Sequence, residues 1–269
     1  MRGYRVLLLA GIVQVAGCLR SNNDNALEVI YIANEGFMIS MGSTKVLVDA
    51  LPKSKYYANP SDSTVAKIMD CLPPFEKVDY VLVTHNHPDH FNSEMMSQLL
   101  LKHPDAQLIA NSETCNKLEG DVFASRSHSK VDLEIGKQQT IRGSRAEVVV
   151  LRLAHGANPD INNLAFIVRS NGYTVFHVGD ARLWSNEEYL RMIDWRSIDV
   201  DLLFLGYYDH SSETQSIIRT IVRPKRVILM HIPPGEEEDV RNEVWETPCR
   251  KIVFGKENES MRFDDFADD

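Results

Sequence analysis

The 269-residue chain has little cysteine, no surplus of basic residues and no apolar run long enough to span a bilayer. Its four cysteines are too few for a disulfide framework. Lysine and arginine total 29 against 38 aspartates and glutamates, for a net charge of −9, so no nucleic-acid partner is expected. With 43% hydrophobic and 25% charged residues, the composition excludes a wholly disordered or collagen-like chain.

The N-terminus has the layout of an export signal. Two arginines precede a short apolar run over 7–13, and small residues then lead to Cys18. The position of Cys18 resembles that of a bacterial lipobox, in which the signal is cut before the cysteine and the cysteine is lipidated. We therefore expect a signal peptide over 1–17, a polar tether over 18–26, and an exported lipoprotein anchored in a membrane, in the periplasm or at the cell surface. Plain secretion and a buried strand are the alternatives.

Hydrophobic periodicity predicts one domain over 27–255, in which strands alternate with helices. The chain opens with a strand meander, and Ser170-Asn171-Gly172 predicts a later hairpin. Asn92 is a predicted helix N-cap. Further buried strands are predicted over 78–83, 148–153, 201–205 and 226–230, and helices over 63–71, 186–193 and 214–222. This order indicates a layered α/β or α+β fold. Residues 256–269 are rich in acids and are expected to form a frayed, solvating tail.

Four predicted strands run directly into residues that can bind a metal. These residues are the His85–His90 run after 78–83, His155 after 148–153, Asp180 after the second hairpin strand, and His231 after 226–230. Sites in layered α/β folds gather at strand ends and in the loops that follow them. The sequence therefore predicts a metal site at this edge of the sheets.

The densest of these segments is His85-Asn86-His87-Pro88-Asp89-His90. Imidazole and carboxylate are suitable ligands for zinc and its neighbours. Extended backbone points His85 and His87 to the same side, and Pro88 disfavours a helix through the loop. The following turn can then direct Asp89 and His90 towards a second ion. A His-rich surface loop is the disfavoured alternative, because five of the nine histidines stand at strand ends.

This arrangement resembles the signature of the metallo-β-lactamase-fold superfamily, and the resemblance covers roughly residues 27–255. It implies an αββα sandwich, an α+β fold of four layers with the site at one edge. It also implies two divalent metal ions, with zinc as the expected metal and manganese or iron as alternatives. Carried onto this sequence, the pattern assigns one ion to His85, His87 and His155, the other to Asp89, His90 and His231, and makes Asp180 the bridge.

The resemblance implies a metallo-hydrolase. Metal coordination lowers the pKa of water to about 7, so two ions can share a hydroxide that attacks an ester, lactone or phosphodiester. Asp89 is expected to ligate a metal and to orient the hydroxide or pass a proton. His210 is a second catalytic candidate, for substrate contact or proton transfer. The sequence contains no Gly-x-Ser-x-Gly elbow, and this chemistry requires no organic cofactor.

Several functions remain open at this stage. Some true β-lactamases use cysteine where this chain has Asp180, so the pattern favours lactonase, phosphodiesterase and phospholipase-like branches. It looks closest to the branch that contains ascorbate-6-phosphate lactonase and N-acylphosphatidylethanolamine phospholipase D. The expected partner is a small-molecule or lipid substrate, and the oligomeric state is left open. The alternatives are a phospholipase D-like hydrolase of membrane lipids, a non-catalytic binding or sensing protein, and a mononuclear iron oxidoreductase.

Other residues have two interpretations each. His177 is interpreted as a hydrogen-bonded core histidine, with support of a metal ligand as the alternative. Arg182 could meet an anionic substrate or form a surface ion pair. Asp49 could hold a ligand in place or belong to a turn, and Asn163 could cap a strand or face the site. His103 is expected at the surface.

Overall fold

Two mixed β-sheets of seven strands each form the centre of the fold. The computed structural model describes residues 25–118, 128–156 and 158–263. The expected signal peptide and nearly all of the expected tether fall outside the described residues. Within the described ranges, no helix combines the length and the apolar character needed to cross a membrane.

The strands and helices follow one another along the chain much as the periodicity predicts. The strands are β1 (Leu27–Ala33), β2 (Gly36–Met41), β3 (Thr44–Val48), β4 (Tyr80–Leu82), β5 (Gln107–Ala110), β6 (His128–Lys130), β7 (Gln138–Arg142), β8 (Glu147–Arg152), β9 (Leu164–Ser170), β10 (Tyr173–His177), β11 (Leu202–Gly206), β12 (Arg226–Met230), β13 (Arg250–Val253) and β14 (Ser260–Phe263). The α-helices are α1 (Asp62–Met69), α2 (Ser93–Lys102), α3 (Ser112–Cys115), α4 (Glu187–Leu190), α5 (Ser212–Ile217) and α6 (Glu237–Asn242). A π-helical turn over Ile218–Val222 and 3₁₀ turns over Trp184–Asn186 and Trp195–Ser197 complete the description.

Each sheet is part antiparallel and part parallel. The first has the order β14-β1-β2-β3-β4-β5-β6 and the second β13-β12-β11-β10-β9-β8-β7. Pairing is antiparallel from β14 to β3 and from β7 to β10. It is parallel from β3 to β6 and from β10 to β13. The parallel strands of a sheet all end at the same edge, where loops can assemble a site.

The first sheet is buried on both faces, which explains its nearly continuous apolar strands. In β3, Val46 and Val48 contribute to the cluster between the two sheets, whereas Leu47 joins a second cluster with Met96 and Leu99 of α2. The intersheet cluster also includes consecutive residues of β8, and so both faces of the second sheet, and buried residues of α4 and α5 pack into it from the outer side. Helices therefore cover both outer faces, and the predicted αββα sandwich is confirmed.

Two local predictions are also confirmed. The side chain of Asn92 accepts a hydrogen bond from Met95 N at 2.9 Å and caps α2. Asn171 and Gly172 both adopt positive φ, at 51° and 84°, and close the β9–β10 hairpin. This two-residue geometry matches the right-handed twist of the flanking strands.

Two expectations were wrong. Within the tail expected over 256–269, Ser260–Phe263 form β14 and pair with β1, because Phe263 is apolar and its side chain is buried against the core. Residues 264–269 fall outside the described residues. His103 is buried rather than at the surface, since its Nε2 lies 2.7 Å from the carbonyl oxygen of Ile68. Cys71, Cys115 and Cys249 are all free, in accord with the absence of a disulfide framework.

Candidate metal centre

Loops from both sheets converge at one edge of the sandwich, where the predicted ligands meet. The loop after β4 carries His85, His87, Asp89 and His90, and the segments after β8, β10 and β12 carry His155, Asp180 and His231. All seven predicted metal ligands thus gather at one place, although they span 147 positions of the sequence from first to last. Ligand atoms from most of them fall into two groups in which every atom lies within 4.8 Å of the others.

The first group is three imidazoles and one carboxylate. His155 Nε2 lies 2.8 Å and His85 Nε2 lies 3.8 Å from Asp180 Oδ2. His87 Nδ1 lies 2.9 Å from His85 Nε2. The side chains of His85 and His87 therefore point to the same side, as expected.

The second group faces the other oxygen of Asp180. Nε2 of His90 and Nε2 of His231 each lie 3.4 Å from Asp180 Oδ1. Asp89 Oδ2 lies 3.2 Å from His231 Nε2 and 3.9 Å from His90 Nε2. One set of candidate ligand atoms therefore lies beside Oδ2 of Asp180, and the other set lies beside Oδ1.

These spacings fit divalent metal ions. Ligands that bind a tetrahedral zinc ion at 2.0–2.1 Å lie about 3.3 Å from each other. Among the described residues, the buried Nε2 atoms of His90 and His155 have no well-aligned hydrogen-bond partner. Buried polar atoms are rarely left in that state, so these two nitrogens are free to bind a metal ion.

Asp49 contacts the Nδ1 side of the His90 imidazole. It accepts hydrogen bonds from Thr84 N at 2.9 Å and Thr84 Oγ1 at 2.7 Å. Its Oδ2 is also 2.9 Å from His90 Nδ1, and because a carboxylate can only accept, this nitrogen donates. The Nδ1–H tautomer leaves the Nε2 lone pair of His90 free to bind a metal. Of the two interpretations of Asp49, the structure favours the one in which it holds a ligand in place.

The loop before Asp180 depends on glycine and asparagine. Gly179 has φ +57°, and a Cβ at this position would lie 2.5 Å from Asn163 Oδ1. Asn163 accepts a hydrogen bond from Asp180 N and donates one to Val178 O, both at 3.1 Å. Asn163 therefore positions Asp180 and takes no direct part in the cluster.

Burial and neighbouring charges shift the protonation equilibria of the cluster. Burial, reinforced by neighbouring histidines, holds the pKa of His85 well below its ordinary value and lowers that of His87, which favours neutral, metal-binding imidazole. Burial opposes ionisation of Asp180, but His90, His155 and His231 together outweigh it and hold the pKa of this carboxylate well below its ordinary value. Burial acts against a charged His90 in the same way, but Asp180 and Glu35 raise its pKa.

His177 is a satisfied core histidine, as its preferred interpretation predicted. Its Nδ1 accepts a hydrogen bond from Gly179 N, so Nε2 carries the proton and donates to Glu35 O, both at 3.3 Å. Burial lowers the pKa of this histidine to about 4, so it is neutral at physiological pH.

The structure does not bring His210 into the cluster. Its ring is exposed, and Nδ1 lies 2.8 Å from the carbonyl oxygen of Tyr207. Instead, Tyr208 donates a hydrogen bond to Asp180 Oδ1 at 3.1 Å, and its ring meets that of His231 edge to face. The turn after β11 thus directs the tyrosine inwards and the histidine outwards, which the sequence order of neighbouring polar residues could not reveal.

Two further side chains stand around the cluster. The Arg182 guanidinium lies over the Tyr208 ring, 5.2 Å from its centroid, and it forms no ion pair among the described residues. The Tyr57 ring packs edge to face against His231, with ring centroids 4.2 Å apart. Two aromatic rings and a guanidinium therefore lie beside the cluster in the described part of the chain.

Glu35, which the sequence analysis did not single out, is completely buried beside the second group. It belongs to the Asn34-Glu35-Gly36 turn between β1 and β2, and its Oε2 lies 3.4 Å from His90 Nδ1. Burial and the nearby Asp180 raise the pKa of this carboxyl well above its ordinary value. The sequence Asn34-Glu35-Gly36 is typical of an ordinary turn. The only feature that could have indicated a role for Glu35 is the presence of an acidic residue between two strongly apolar strands.

Comparisons with known proteins agree with this geometry. The model of the beta-lactamase superfamily domain matches residues 44–232. A UPF0173 metal-dependent hydrolase of Symbiobacterium thermophilum is 27% identical over 208 residues, which cover 76% of this chain and 84% of the relative.

Two solved structures share the fold at low sequence identity. The metallo-β-lactamase-fold protein YhfI of Bacillus subtilis superposes with a TM-score of 0.62 at 16% identity, over 88% of this chain and 99% of that chain. CmlA, a diiron β-hydroxylase of Streptomyces venezuelae, superposes with a TM-score of 0.53 at 15% identity, over 88% of this chain and 53% of that chain. The family match covers more than half of the sequence and contains every predicted ligand from His85 to His231, and this chain belongs to the beta-lactamase superfamily.

Proposed function

We propose that this protein is a hydrolase that depends on two divalent metal ions, with zinc as the first candidate, and cleaves an ester, lactone or phosphodiester. The observation that carries the proposal is the position of Asp180, whose Oδ2 lies near His155 and His85 of the first group and whose Oδ1 lies near His90 and His231 of the second. The name of the Symbiobacterium relative, a metal-dependent hydrolase, supports the same assignment.

When bound, such ions supply an activated water and polarise the electrophilic oxygen of the substrate. The protein's own residues supply orientation and proton transfer. Asp89 retains 16% side-chain exposure, whereas Asp180 retains 9% and Glu35 none, so Asp89 is the carboxylate best placed to accept a proton from water. Tyr208 donates to Asp180 Oδ1 and fixes the orientation of the bridging carboxylate.

We further propose an anionic substrate, of which a phosphodiester is the best match among the three classes. Arg182 is half-buried, stacked on Tyr208, and has no carboxylate partner among the described residues. A guanidinium forms two parallel hydrogen bonds with a phosphate, so it can orient one face of the substrate while the reactive centre meets the metals.

The cellular location is also a proposal. The N-terminal layout described above supports export and lipidation of Cys18. Metabolic labelling with a fatty acid tests it: the wild-type chain should acquire label and sediment with membranes, and Cys18→Ser should do neither. An unlabelled wild-type chain in the soluble fraction would contradict anchoring.

Metal content decides between the functional classes. We expect about two zinc or manganese ions per wild-type chain by elemental analysis. His87→Ala should hold fewer, and His210→Ala is the matched control, since it removes an exposed histidine outside the cluster. A single iron ion per chain would favour the oxidoreductase alternative, and no metal after reconstitution would favour a binding protein. A loaded wild-type enzyme should then hydrolyse a chromogenic phosphodiester faster than a chromogenic lactone.

A further inference from the structure

Glu35 is a carboxylate without a donor in the most enclosed part of the site. Neither of its oxygens has a hydrogen-bond partner among the described residues. The nearest candidate, His90 Nδ1 at 3.4 Å, already gives its proton to Asp49 at the shorter distance of 2.9 Å. A carboxyl buried in this way stays protonated unless a cation lies beside it. The neighbouring metal-binding side chains provide a place for such a cation.

The turn that carries Glu35 is tied to the segments that carry the other ligands. Asn34 Nδ2 donates to the carbonyl oxygen of Asp89 at 2.9 Å, and Asn34 O accepts from His231 N at 3.4 Å. Gly36 packs so closely on the strand end that a Cβ there would lie 2.8 Å from Asp49 O. The Glu35 side chain is therefore fixed relative to the second ligand group by contacts on both sides of it.

One ligand atom of Glu35 lies within 4.8 Å of ligand atoms of His90, Asp180 and His231. We propose that Glu35 is an additional ligand of the second metal position, which makes that position different from the first. With Asp89, the second position then offers three carboxylates and two imidazoles, against one shared carboxylate and three imidazoles at the first. This inference rests on the proposed binuclear function and adds a preference for a particular metal at the second position.

The donor sets differ in the ions they suit. Three imidazoles and a carboxylate match four-coordinate zinc. Five ligands of which three are carboxylates suit an ion of higher coordination number and greater preference for oxygen, such as Mn²⁺. A given site binds Zn²⁺ more tightly than Mn²⁺, so the centre is expected to take up one ion of each metal when zinc is limited to one equivalent and manganese is in excess.

The test uses the full-length protein, stripped of metal and then given one equivalent of Zn²⁺ and an excess of Mn²⁺. Elemental analysis gives the content, and the loss of the free Mn²⁺ signal in electron paramagnetic resonance gives the affinity. Glu35→Gln keeps the size of the side chain and removes its charge. Glu28→Gln is the matched control, because Glu28 lies on β1, the strand that leads into the Glu35 turn, at the end far from the site. Glu35→Asp tests whether a shorter carboxylate retains part of the binding.

The wild-type protein should bind one equivalent of each metal. Glu35→Gln should bind Mn²⁺ at least tenfold more weakly and keep its zinc, Glu35→Asp should be intermediate, and Glu28→Gln should match the wild type. Mn²⁺ affinity within threefold of wild type in a folded Glu35→Gln protein would overturn the role of Glu35 and leave the binuclear function intact. A wild-type protein that binds fewer than two ions would instead overturn the binuclear function itself.

Melting temperature with and without metal separates ligation from a structural role. If Glu35 is a ligand, Glu35→Gln should melt near the wild-type temperature without metal and gain less from Mn²⁺. An equal drop in melting temperature with and without metal would mean that the residue acts only in packing, and would overturn the proposal. Should Glu35→Gln fail to fold, the Mn²⁺ affinity of Glu35→Asp decides the question.

Discussion

Replacement of Asp49 by asparagine tests how the protein chooses the tautomer of a metal ligand. The Asp49 carboxylate accepts three hydrogen bonds, from Thr84 N, Thr84 Oγ1 and His90 Nδ1, at 2.7–2.9 Å. An asparagine keeps one accepting oxygen, but its amide nitrogen can only donate. If that nitrogen faces His90, the imidazole must turn its lone pair towards it and carry the proton on Nε2, the atom that faces Asp180.

The expected loss of metal affinity follows from this change in the His90 tautomer. Partners that orient metal-binding histidines contribute about 10–100-fold to metal affinity, or about 1.4–2.8 kcal/mol. We expect a loss in this range at the second metal position and less than a threefold change at the first. Hydrogen bonds to a charged group contribute about 1.5–3 kcal/mol each, so the free energy of unfolding of the metal-free protein should also fall.

The assay is competition with a chromophoric chelator, which measures the affinity for each of the two ions. Asp201→Asn is the matched control, because Asp201 is also a buried carboxylate that accepts a backbone and a side-chain hydrogen bond, each at 2.7 Å, from Thr174 and Lys225. It should lose stability and keep both metal affinities. Equal metal affinities in the two variants, or an Asp49→Asn protein with wild-type affinity at the second position, would refute the reasoning.

Three shorter predictions concern other residues around the site. Tyr208→Phe removes the donor to Asp180 Oδ1 and should lower kcat by about 3–10-fold with little change in KM, measured by steady-state kinetics; an unchanged kcat would contradict it. Arg182→Gln should raise KM for an anionic phosphodiester by about tenfold and leave that of a neutral lactone unchanged; a parallel rise for both would exclude charge recognition. His177, with its pKa lowered to about 4, is neutral in the folded state, and below about pH 6.5 the unfolded chain takes up a proton that the folded protein refuses. The stability is therefore complete above pH 6.5 and falls towards pH 4, by about 3 kcal/mol more in the wild type than in His177→Gln, measured by urea unfolding; identical pH profiles would count against it.

Strand ends explain why most of the site could be predicted. Parallel strands that share a sheet bring their carboxyl ends together, so a ligand directly after each strand defines a place in space without knowledge of any contact. His155 and His231 are single histidines in unremarkable loops, yet their positions after β8 and β12 were enough to place them. The hairpin at Asn171-Gly172 and the N-cap at Asn92 could also be predicted from a few neighbouring residues, because the backbone geometry at these positions favours those residue types.

Other features depend on tertiary contacts and left no local pattern. β7 (Gln138–Arg142) has a mostly exposed, polar sequence and is a strand because β8 provides hydrogen bonds along one side. Glu35 has the local sequence of a turn residue, and only the packing of the fold buries it beside the candidate ligands. Tyr208 and His210 are two positions apart, and only the conformation of the turn after β11 decides which of them faces the metal-binding atoms.

β1 also sets the direction in which the site faces. The strand begins at Leu27, beside Phe263, and Glu35 lies just beyond its other end. Eight residues at about 3.3 Å each place the start of the strand about 25 Å from the metal-binding atoms. Any anchor attached ahead of Leu27 is therefore joined to the base of the molecule, and a nine-residue tether over 18–26 reaches at most about 30 Å, little more than the height of the sheet. If Cys18 carries the proposed lipid anchor, the reactive edge lies at the end of the molecule away from the point of attachment, towards compounds that diffuse past it. Such an orientation would favour a soluble phosphodiester over the lipids of a bilayer.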